Sequence, residues 1–425
     1  MKILIKNALI ITCDGRIIKN GYIVITEDII TEVSDGEPPK DVPYDRIMDA
    51  GRMMVMPGLV NSHTHTSMTL FRNYGGGLGL EDWLHKKIFP AEKKLRDMDI
   101  YHGTMLAAVE MIKSGTTAFA DMYLDADQMA TAVIDSGLRA NICQLPIDPL
   151  GTGSSPVRGF YAKWGDGRYP RIKPYVLVHS AYLYGEDQLM LSAETAKELG
   201  IGIHTHLLET RSEYLEGIKK YGIDNAMEME KCGIFDVPVI AAHCVHVTDE
   251  DISILKRYNV NVAHNPTSNL KLGSGVAPVH QMMEAGINVC LGTDGTASNN
   301  TLDMFEEIKL AAMLQKGINR DARLMTSEQV LQMATLNGAK ALGFDYDLGA
   351  IRKGAKADII MIDIDKPHFT PLNDPMEALV YCAHGSDVDT VIADGKILME
   401  KRQLLSLDEE KILQEIDSIA KRVIS

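Results

Sequence analysis

The chain has 425 residues, of which 45% are hydrophobic and 24% are charged, a composition typical of a globular enzyme and not of a disordered chain. Its formal net charge of -15 argues against general nucleic-acid binding, because such binding needs a basic surface that replaces the counterions of the phosphates. The length favours one large domain with a smaller one, and no stretch approaches the roughly 20 apolar residues of a membrane-spanning helix.

The N-terminal segment, residues 3–49, alternates like short strands separated by turns. Three runs rich in β-branched residues lie before residue 26, and Asp14-Gly15 supplies a turn between them. Lys6 interrupts the apolar residues at the N-terminus before a signal-peptide core could form. We therefore expect a cytoplasmic protein.

The middle of the chain has a different pattern, in which buried-strand runs alternate with amphipathic helices. Helices are predicted at residues 187–199 and 249–258, between strands. This alternation indicates parallel strands that are joined by helical crossovers. Strands are predicted at residues 174–179, 202–206, 239–243, 261–264 and 288–292.

The C-terminal segment returns to the strand-rich pattern of the N-terminus. Residues 357–362 and 390–392 predict strands, and the Asp-Gly pair that follows predicts a hairpin turn. Residues 407–423 predict a terminal helix. We expect residues 1–56 and 346–425 to pair into one small β-sandwich domain that is built from both chain ends.

Most of the predicted strands end in a residue that can bind a metal or move a proton. Side chains converge from the carboxyl ends of many strands where the sheet closes into a barrel, whereas an open sheet leaves its edge strands apart. The sequence therefore predicts an α/β fold with a TIM-type (β/α)8 barrel over residues 57–345. The strand-end residues are His63, His65, Asp121, His179, His204, His206, His243, His264 and Asp294.

Two His-x-His pairs, His63/His65 and His204/His206, follow predicted strands. Residues two apart on a strand share a face, so each pair presents two imidazoles in one direction. One such pair by itself is more often packed or surface histidine, but a second pair at another strand end favours zinc or a similar divalent metal. The pattern leaves open how many histidines of the second pair coordinate.

Three further residues complete a candidate catalytic site. Asp294 follows a buried strand within Gly-Thr-Asp-Gly, so its carboxylate can complete a zinc site of three histidines with one position open for water or substrate. Glu209 lies three residues after His206, within reach of such a water, although a helix-start carboxylate is the structural alternative. His243 ends a buried strand and is the natural partner of that water, with a packed core histidine as the alternative.

Several segments resemble a known family. Pro-Gly-Leu-Val-Asn-Ser-His-Thr-His at residues 57–65 resembles the first-strand motif of the amidohydrolase superfamily. Ala-His-Cys-Val-His at 242–246, His-Asn-Pro-Thr-Ser-Asn-Leu-Lys-Leu-Gly at 264–273 and Gly-Thr-Asp-Gly at 292–295 are similar to the branch of 5-methylthioadenosine/S-adenosylhomocysteine deaminases and 5′-deoxyadenosine deaminases. Residues 349–358 resemble the return strand of that family's small β domain, so the resemblance covers essentially the whole chain.

The resemblance implies one divalent metal per subunit, expected to be Zn²⁺, with His204 as a supporting residue. Relatives with two metals carry a bridging lysine at a strand end where this chain has His179, which favours one metal. The resemblance also implies Glu209, His243 and Asp294 as catalytic residues, with Glu209 in contact with the substrate. The implied metal ligands are His63, His65, His206 and Asp294.

The implied substrate site is that of a nucleoside. Trp83 and Glu92 match positions that hold the sugar, and His179 matches a histidine that contacts the base. Arg158 is a candidate for binding an amino-acid tail, but Gln144 occupies the position of a second arginine. Because their tails are uncharged, 5-methylthioadenosine and 5′-deoxyadenosine are therefore as good candidates as S-adenosylhomocysteine, or better.

We therefore predict hydrolytic deamination of 5′-modified adenosines, or of adenosine itself, to the inosine analogue and ammonia. The expected protein is a homo-oligomer with a nucleoside substrate and no nucleic-acid or membrane partner. One alternative is an amidohydrolase that deaminates or dechlorinates another aminated heterocycle, such as guanine or a triazine. The other is a catalytically inactive barrel that acts as a binding protein, which should have lost ligands or the proton shuttle, and none is missing.

The sequence lacks the motifs of several other kinds of site. There is no His-Glu-x-x-His and no Pro-Cys-x-x-Cys, which argues against helix-borne zinc proteases and zinc sites of the cytidine-deaminase type. The six cysteines are scattered, so we expect no disulfide framework. Residues 75–79, Gly-Gly-Gly-Leu-Gly, lack the setting of a dinucleotide loop and predict a mobile active-site loop.

Overall fold

The computed structural model describes residues 1–147 and 155–424, which contain two β-sheets and the helices around them. Five strands precede the barrel: β1 (Lys2–Ile11), β2 (Ile17–Thr26), β3 (Ile29–Asp35), β4 (Arg46–Asp49) and β5 (Met53–Pro57). The barrel strands are β6 (Leu59–Thr64), β7 (Thr116–Asp121), β8 (Arg139–Gln144), β9 (Ile172–Val178), β10 (Ile203–Leu207), β11 (Val239–His243), β12 (Asn261–His264) and β13 (Asn288–Leu291). Four strands follow: β14 (Ile359–Asp363), β15 (Val388–Ala393), β16 (Lys396–Glu400) and β17 (Gln403–Leu404).

The helices lie mainly between the barrel strands and after the last of them. In the first half they are α1 (Leu80–Trp83), α2 (Phe89–Glu92), α3 (Asp97–Lys113), α4 (Ala126–Ser136), α5 (Pro156–Trp164), α6 (Glu186–Leu199), α7 (Arg211–Tyr221) and α8 (Asn225–Lys231). In the second half they are α9 (Asp249–Arg257), α10 (Pro266–Lys271), α11 (Val279–Glu284), α12 (Met304–Asn319), α13 (Ser327–Met333), α14 (Leu336–Ala341), α15 (Pro375–Tyr381) and α16 (Glu409–Ile424). A π-helical turn, Leu84–Ile88, joins α1 to α2, and a 3-10 helix, Thr66–Phe71, follows β6.

The barrel consists of eight parallel strands in sequence order, which confirms the predicted TIM-type barrel and rules out the open sheet. The edge strands β6 and β13 meet through the residues that follow β13. Asp294 N donates to His63 O at 2.9 Å, and Thr293 N donates to Asn61 Oδ1 at 2.9 Å. Alternate strand residues, many of them alanine, form a buried cluster inside the barrel, while the opposite face packs against the helices. This closure brings the carboxyl ends of all eight strands around one centre.

The second sheet is built from both chain ends, as predicted. It has nine strands and is mixed, because β5 pairs in parallel with β1 and antiparallel with β14. A core of isoleucine-rich residues from β1, β2 and β14 belongs to this sheet. Arg139 ties the barrel to it through a buried ion pair with Asp358 and a partly buried one with Asp394. The proposed domain bounds at residues 56 and 346 stay a prediction.

The predicted helices are confirmed with small shifts of their ends, and the terminal helix α16 packs on α3. Arg422 of α16 pairs with the nearly buried Asp99 at 2.5 Å. Within the described ranges, no helix is long and apolar enough to cross a bilayer.

Candidate active site

Three histidines and one aspartate from distant parts of the chain meet at the carboxyl end of the barrel. His63 lies near the end of β6, His65 directly follows that strand, and His206 lies near the end of β10. Asp294 Oδ1 lies 3.5 Å from His63 Nε2 and 3.2 Å from His65 Nε2. The Nε2 atoms of His65 and His206 are 3.4 Å apart. The side chains of the predicted ligand set therefore converge on one point.

Each of these imidazoles is held by its other ring nitrogen. His63 Nδ1 lies 2.9 Å from His204 Nε2, His206 Nδ1 donates to His179 O at 2.8 Å, and His65 Nδ1 donates to Met122 O. Such contacts fix the orientation of metal-binding histidines and point Nε2 inward. His63 Nε2 is fully buried and makes no hydrogen bond within the described part of the chain. A buried nitrogen without a partner, among nitrogen and carboxylate donors, fits a bound divalent cation.

The carboxylate of Asp294 is held on its outer side by hydroxyl groups. Ser268 Oγ and Ser298 Oγ donate to Asp294 Oδ2 at 2.6 Å and 2.9 Å. Gly295 N donates to Oδ1 at 2.7 Å, and Asp294 itself has a left-handed backbone with φ 63°. These contacts leave Oδ1 directed toward the histidines. Backbone conformations of this kind are costly for a residue with a side chain and concentrate at functional sites.

Glu209 and His243 lie next to the cluster, with Glu209 Oε2 3.7 Å from His243 Nε2. Both side chains are buried, and burial raises the pKa of Glu209 above its ordinary value. Ser274 Oγ donates to Glu209 Oε1 at 3.3 Å. The buried carboxylate of Glu213 accepts from the backbone N of Glu209 at 2.8 Å and so fixes the turn after β10. The arrangement places an acid and an imidazole side by side, as proton transfer to and from a substrate requires.

A cavity of about 290 Å³ opens beside these groups. Its lining is mostly apolar and includes histidine and carboxylate side chains of the cluster. Trp83 and Glu92 line it from the α1–α2 region, and His179 lines it from the end of β9. Burial lowers the pKa of His179 to about 4, so its ring is neutral at pH 7. The remaining predicted residues on its wall are His65, His206, Glu209, His243 and Asp294.

Arg158 is placed elsewhere. Its guanidinium pairs with Glu198, its side chain is 44% exposed, and it is not among the described residues that line the cavity. The predicted contact between Arg158 and a substrate tail therefore stays a prediction that this placement does not support. Residues 148–154, which precede α5, lie outside the described residues.

The glycine-rich segment 75–79 leads directly into α1 and α2. Leu80, Leu84 and Phe89, which follow the segment, line the cavity, whereas residues 75–79 are not among the described residues that line it. Gly75 and Gly77 adopt positive φ of 83° and 81°, which glycine accepts without strain. Its mobility stays a prediction.

Several residues at the site were not assigned roles from the sequence. Tyr123 OH donates to Glu92 Oε1 at 2.7 Å, and burial raises the pKa of that carboxyl group. Asp121 accepts from Thr66 N at 3.1 Å, and burial raises its pKa to about 6. Asp121 was visible as a strand-end residue, but nothing in the local sequence connects Tyr123 with Glu92.

Comparison with known proteins agrees with the fold. The Amidohydrolase family matches residues 54–398. The chain is 53% identical to a 5-methylthioadenosine/S-adenosylhomocysteine deaminase of Acetivibrio thermocellus, over 100% of both chains. It is 45% identical to a 5′-deoxyadenosine deaminase of Methanosarcina acetivorans, over 100% of this chain and 98% of the relative.

A solved structure is similar over nearly the whole chain. It is an adenosine deaminase from Xanthomonas campestris with bound zinc, with a TM-score of 0.92, 30% identity and coverage of 99% of this chain and 98% of that chain. The family match spans most of the sequence, and the relatives align from end to end. The chain therefore belongs to the amidohydrolase family.

Proposed function

We propose that the protein deaminates adenosines modified at the 5′ position by hydrolysis, giving the inosine analogue and ammonia. The observation that carries the proposal is the pairing of Glu209 with His243, 3.7 Å apart, beside a cluster of three histidines and Asp294. The relatives named as deaminases of 5-methylthioadenosine, S-adenosylhomocysteine and 5′-deoxyadenosine support this substrate class.

His63, His65, His206 and Asp294 are the residues that would hold one divalent cation, and Zn²⁺ is the ion we propose. Nitrogen and carboxylate donors of this kind suit zinc, and a solved relative is described with zinc bound. When bound, such a cation lowers the pKa of water from about 16 to about 7 and supplies a nucleophile at neutral pH.

The proton steps are assigned to residues of this chain. Glu209, whose pKa is raised by burial, is proposed as the acid that donates a proton to N1 of adenine while oxygen adds to C6. His243 and Asp294 orient the attacking water and accept its proton. One of them then passes a proton to the amino group, the bond between C6 and the amino nitrogen breaks, and ammonia leaves. The C6 hydroxyl then loses its remaining proton, which returns to the carboxylate of Glu209, and the C6 oxygen becomes the carbonyl of the hypoxanthine ring.

The cavity supports a nucleoside with an uncharged 5′ substituent. Glu92, which accepts a hydrogen bond from Tyr123, is proposed to bind the ribose hydroxyls, with Trp83 beside it and the neutral His179 on the base. None of the described residues on the cavity wall is lysine or arginine, and residues 148–154 contain neither in their sequence. An α-carboxylate would therefore meet Glu92 and Glu209 but no lysine or arginine among the described residues of the wall. We expect 5-methylthioadenosine and 5′-deoxyadenosine to be preferred over S-adenosylhomocysteine.

Ultraviolet absorbance tests the proposal, because deamination of adenine to hypoxanthine changes the spectrum. The zinc-loaded protein is assayed with 5-methylthioadenosine, 5′-deoxyadenosine, S-adenosylhomocysteine and adenosine, and with guanine and a chlorinated triazine as the alternative substrates. Turnover of the first two with the highest kcat/KM supports the proposal. Turnover of guanine or the triazine alone refutes it in favour of the alternative heterocycle. The predicted cytoplasmic location and homo-oligomeric state stay predictions.

A further inference from the structure

One short segment, residues 266–274, contacts all three side chains to which proton transfer is assigned. It comprises α10 and the turn after it, and its contacting side chains are buried. None of the three contacting side chains is among the described residues that line the cavity, so each can act on the reaction only through the side chain that it contacts. The three contacts are Ser268 Oγ to Asp294 Oδ2 at 2.6 Å, Asn269 Oδ1 to His243 Nδ1 at 2.8 Å, and Ser274 Oγ to Glu209 Oε1 at 3.3 Å.

The contact of Asn269 with His243 has a specific chemical consequence. A neutral imidazole carries its proton on one ring nitrogen, and the hydrogen bond made by one nitrogen determines which form is present. Because an amide oxygen only accepts, the 2.8 Å contact requires the proton on His243 Nδ1. The lone pair then resides on Nε2, the atom that faces Glu209 Oε2 at 3.7 Å. Asn265 Nδ2 lies farther from Nδ1, at 3.4 Å, so the oxygen of Asn269 is the closer partner.

We propose that Asn269 is the positioning residue that holds His243 in the tautomer with a free Nε2, and so makes it an acceptor for the proton of the attacking water. This inference rests on the proposed function. Asn269 does not touch the substrate, and its effect passes through the imidazole alone.

The backbone around Asn269 is held from two sides. Its N donates to Asn265 O at 3.0 Å, and its carbonyl oxygen accepts from Ser274 N at 2.9 Å. The fully buried Glu307 accepts from the backbone N of Thr267 at 3.2 Å and ties α10 to α12. The amide oxygen therefore meets His243 in a fixed direction, which is how a supporting residue keeps a catalytic group in its reactive geometry.

The test compares two variants of similar size. N269D keeps an oxygen that accepts from His243 Nδ1, whereas N269L removes the acceptor. Asn261 offers a matched control, because it is a buried asparagine at the opposite end of β12 that donates to Val239 O at 3.0 Å. We expect N269L to lower kcat about 10- to 100-fold with KM and zinc content unchanged, the usual cost of losing such a partner. N269D should retain most of kcat, and N261L should retain all of it.

Two results would overturn the inference: an N269L variant with the wild-type kcat, or a folded N269D variant as slow as N269L. If N269L does not fold, the protonation state of His243 in the wild type decides instead. Nitrogen-15 spectra of the zinc-loaded protein give a second readout that needs no turnover. They should show His243 protonated at Nδ1 in the wild type, and protonation at Nε2 contradicts the proposal. Absence of turnover in the wild type with every substrate refutes the proposed function instead.

Discussion

Replacing Glu209 with glutamine keeps the size of the side chain but removes the proton that we assign to the reaction. Oε1 of Glu209 accepts from Ser274 Oγ at 3.3 Å, a contact that a glutamine oxygen can also make. The backbone N of residue 209 still donates to Glu213, because that bond does not involve the altered side chain. We therefore expect the E209Q variant to fold and to bind metal like the wild type.

The expected loss is in turnover. General-acid help contributes about 10²- to 10⁴-fold to a rate, which corresponds to about 2.7–5.5 kcal/mol of activation free energy at 25 °C. Burial raises the pKa of Glu209 and so favours its acid form. His243, whose Nε2 lies 3.7 Å from Glu209, is assigned to the attacking water, so no described neighbour is assigned to replace Glu209 as the donor to N1. We expect kcat to fall by this range with little change in KM.

The assay follows absorbance with 5-methylthioadenosine, and metal content is measured on the same samples by mass spectrometry. E228Q is a matched control, because Glu228 is a fully buried glutamate on α8 that does not line the cavity. It should keep the wild-type kcat. Wild-type turnover in E209Q would refute the assigned acid, and loss of metal from E209Q would show that Glu209 supports the metal site instead.

Further predictions concern the metal, the sugar site, the core and pH. H206A should lose bound zinc and activity together, and removal of zinc from the wild type by a chelator should abolish turnover until zinc is restored, as metal analysis and kinetics will show. Y123F removes the donor to Glu92 and should raise KM for nucleosides without changing metal content. R139M breaks a buried ion pair and should lower the free energy of unfolding by about 3–5 kcal/mol, measured by urea denaturation. Burial raises the pKa of Glu209 in the folded state, so the folded state binds this proton more tightly than the unfolded state does. The resulting stabilisation is present at acidic pH and is lost as pH rises through the raised pKa of Glu209. Metal-free wild type should therefore lose more stability than E209Q between acidic and alkaline pH in thermal melts, and parallel curves would contradict this.

The barrel and most of the candidate site could be predicted from local sequence. His63 and His65 are two residues apart on a strand, so their shared face follows from the strand period without any knowledge of the rest of the fold. The polar ends of successive strands indicated closure, because only a barrel brings such ends together. The structure confirms the barrel, and Asp294 lies within 3.5 Å of both histidines.

The tertiary structure alone decided which partner each side chain meets. The resemblance predicted that Arg158 contacts a substrate tail, but the structure pairs it with Glu198, 40 residues away. The bond between His243 and Asn269 spans 26 residues and depends on how α10 packs beside β11. The sequence by itself determined the strand pattern and the donor types, since these depend on local periodicity and residue chemistry, and its motifs indicated the family by resemblance. Partners and tautomers depend on side-chain directions that only the packed barrel sets.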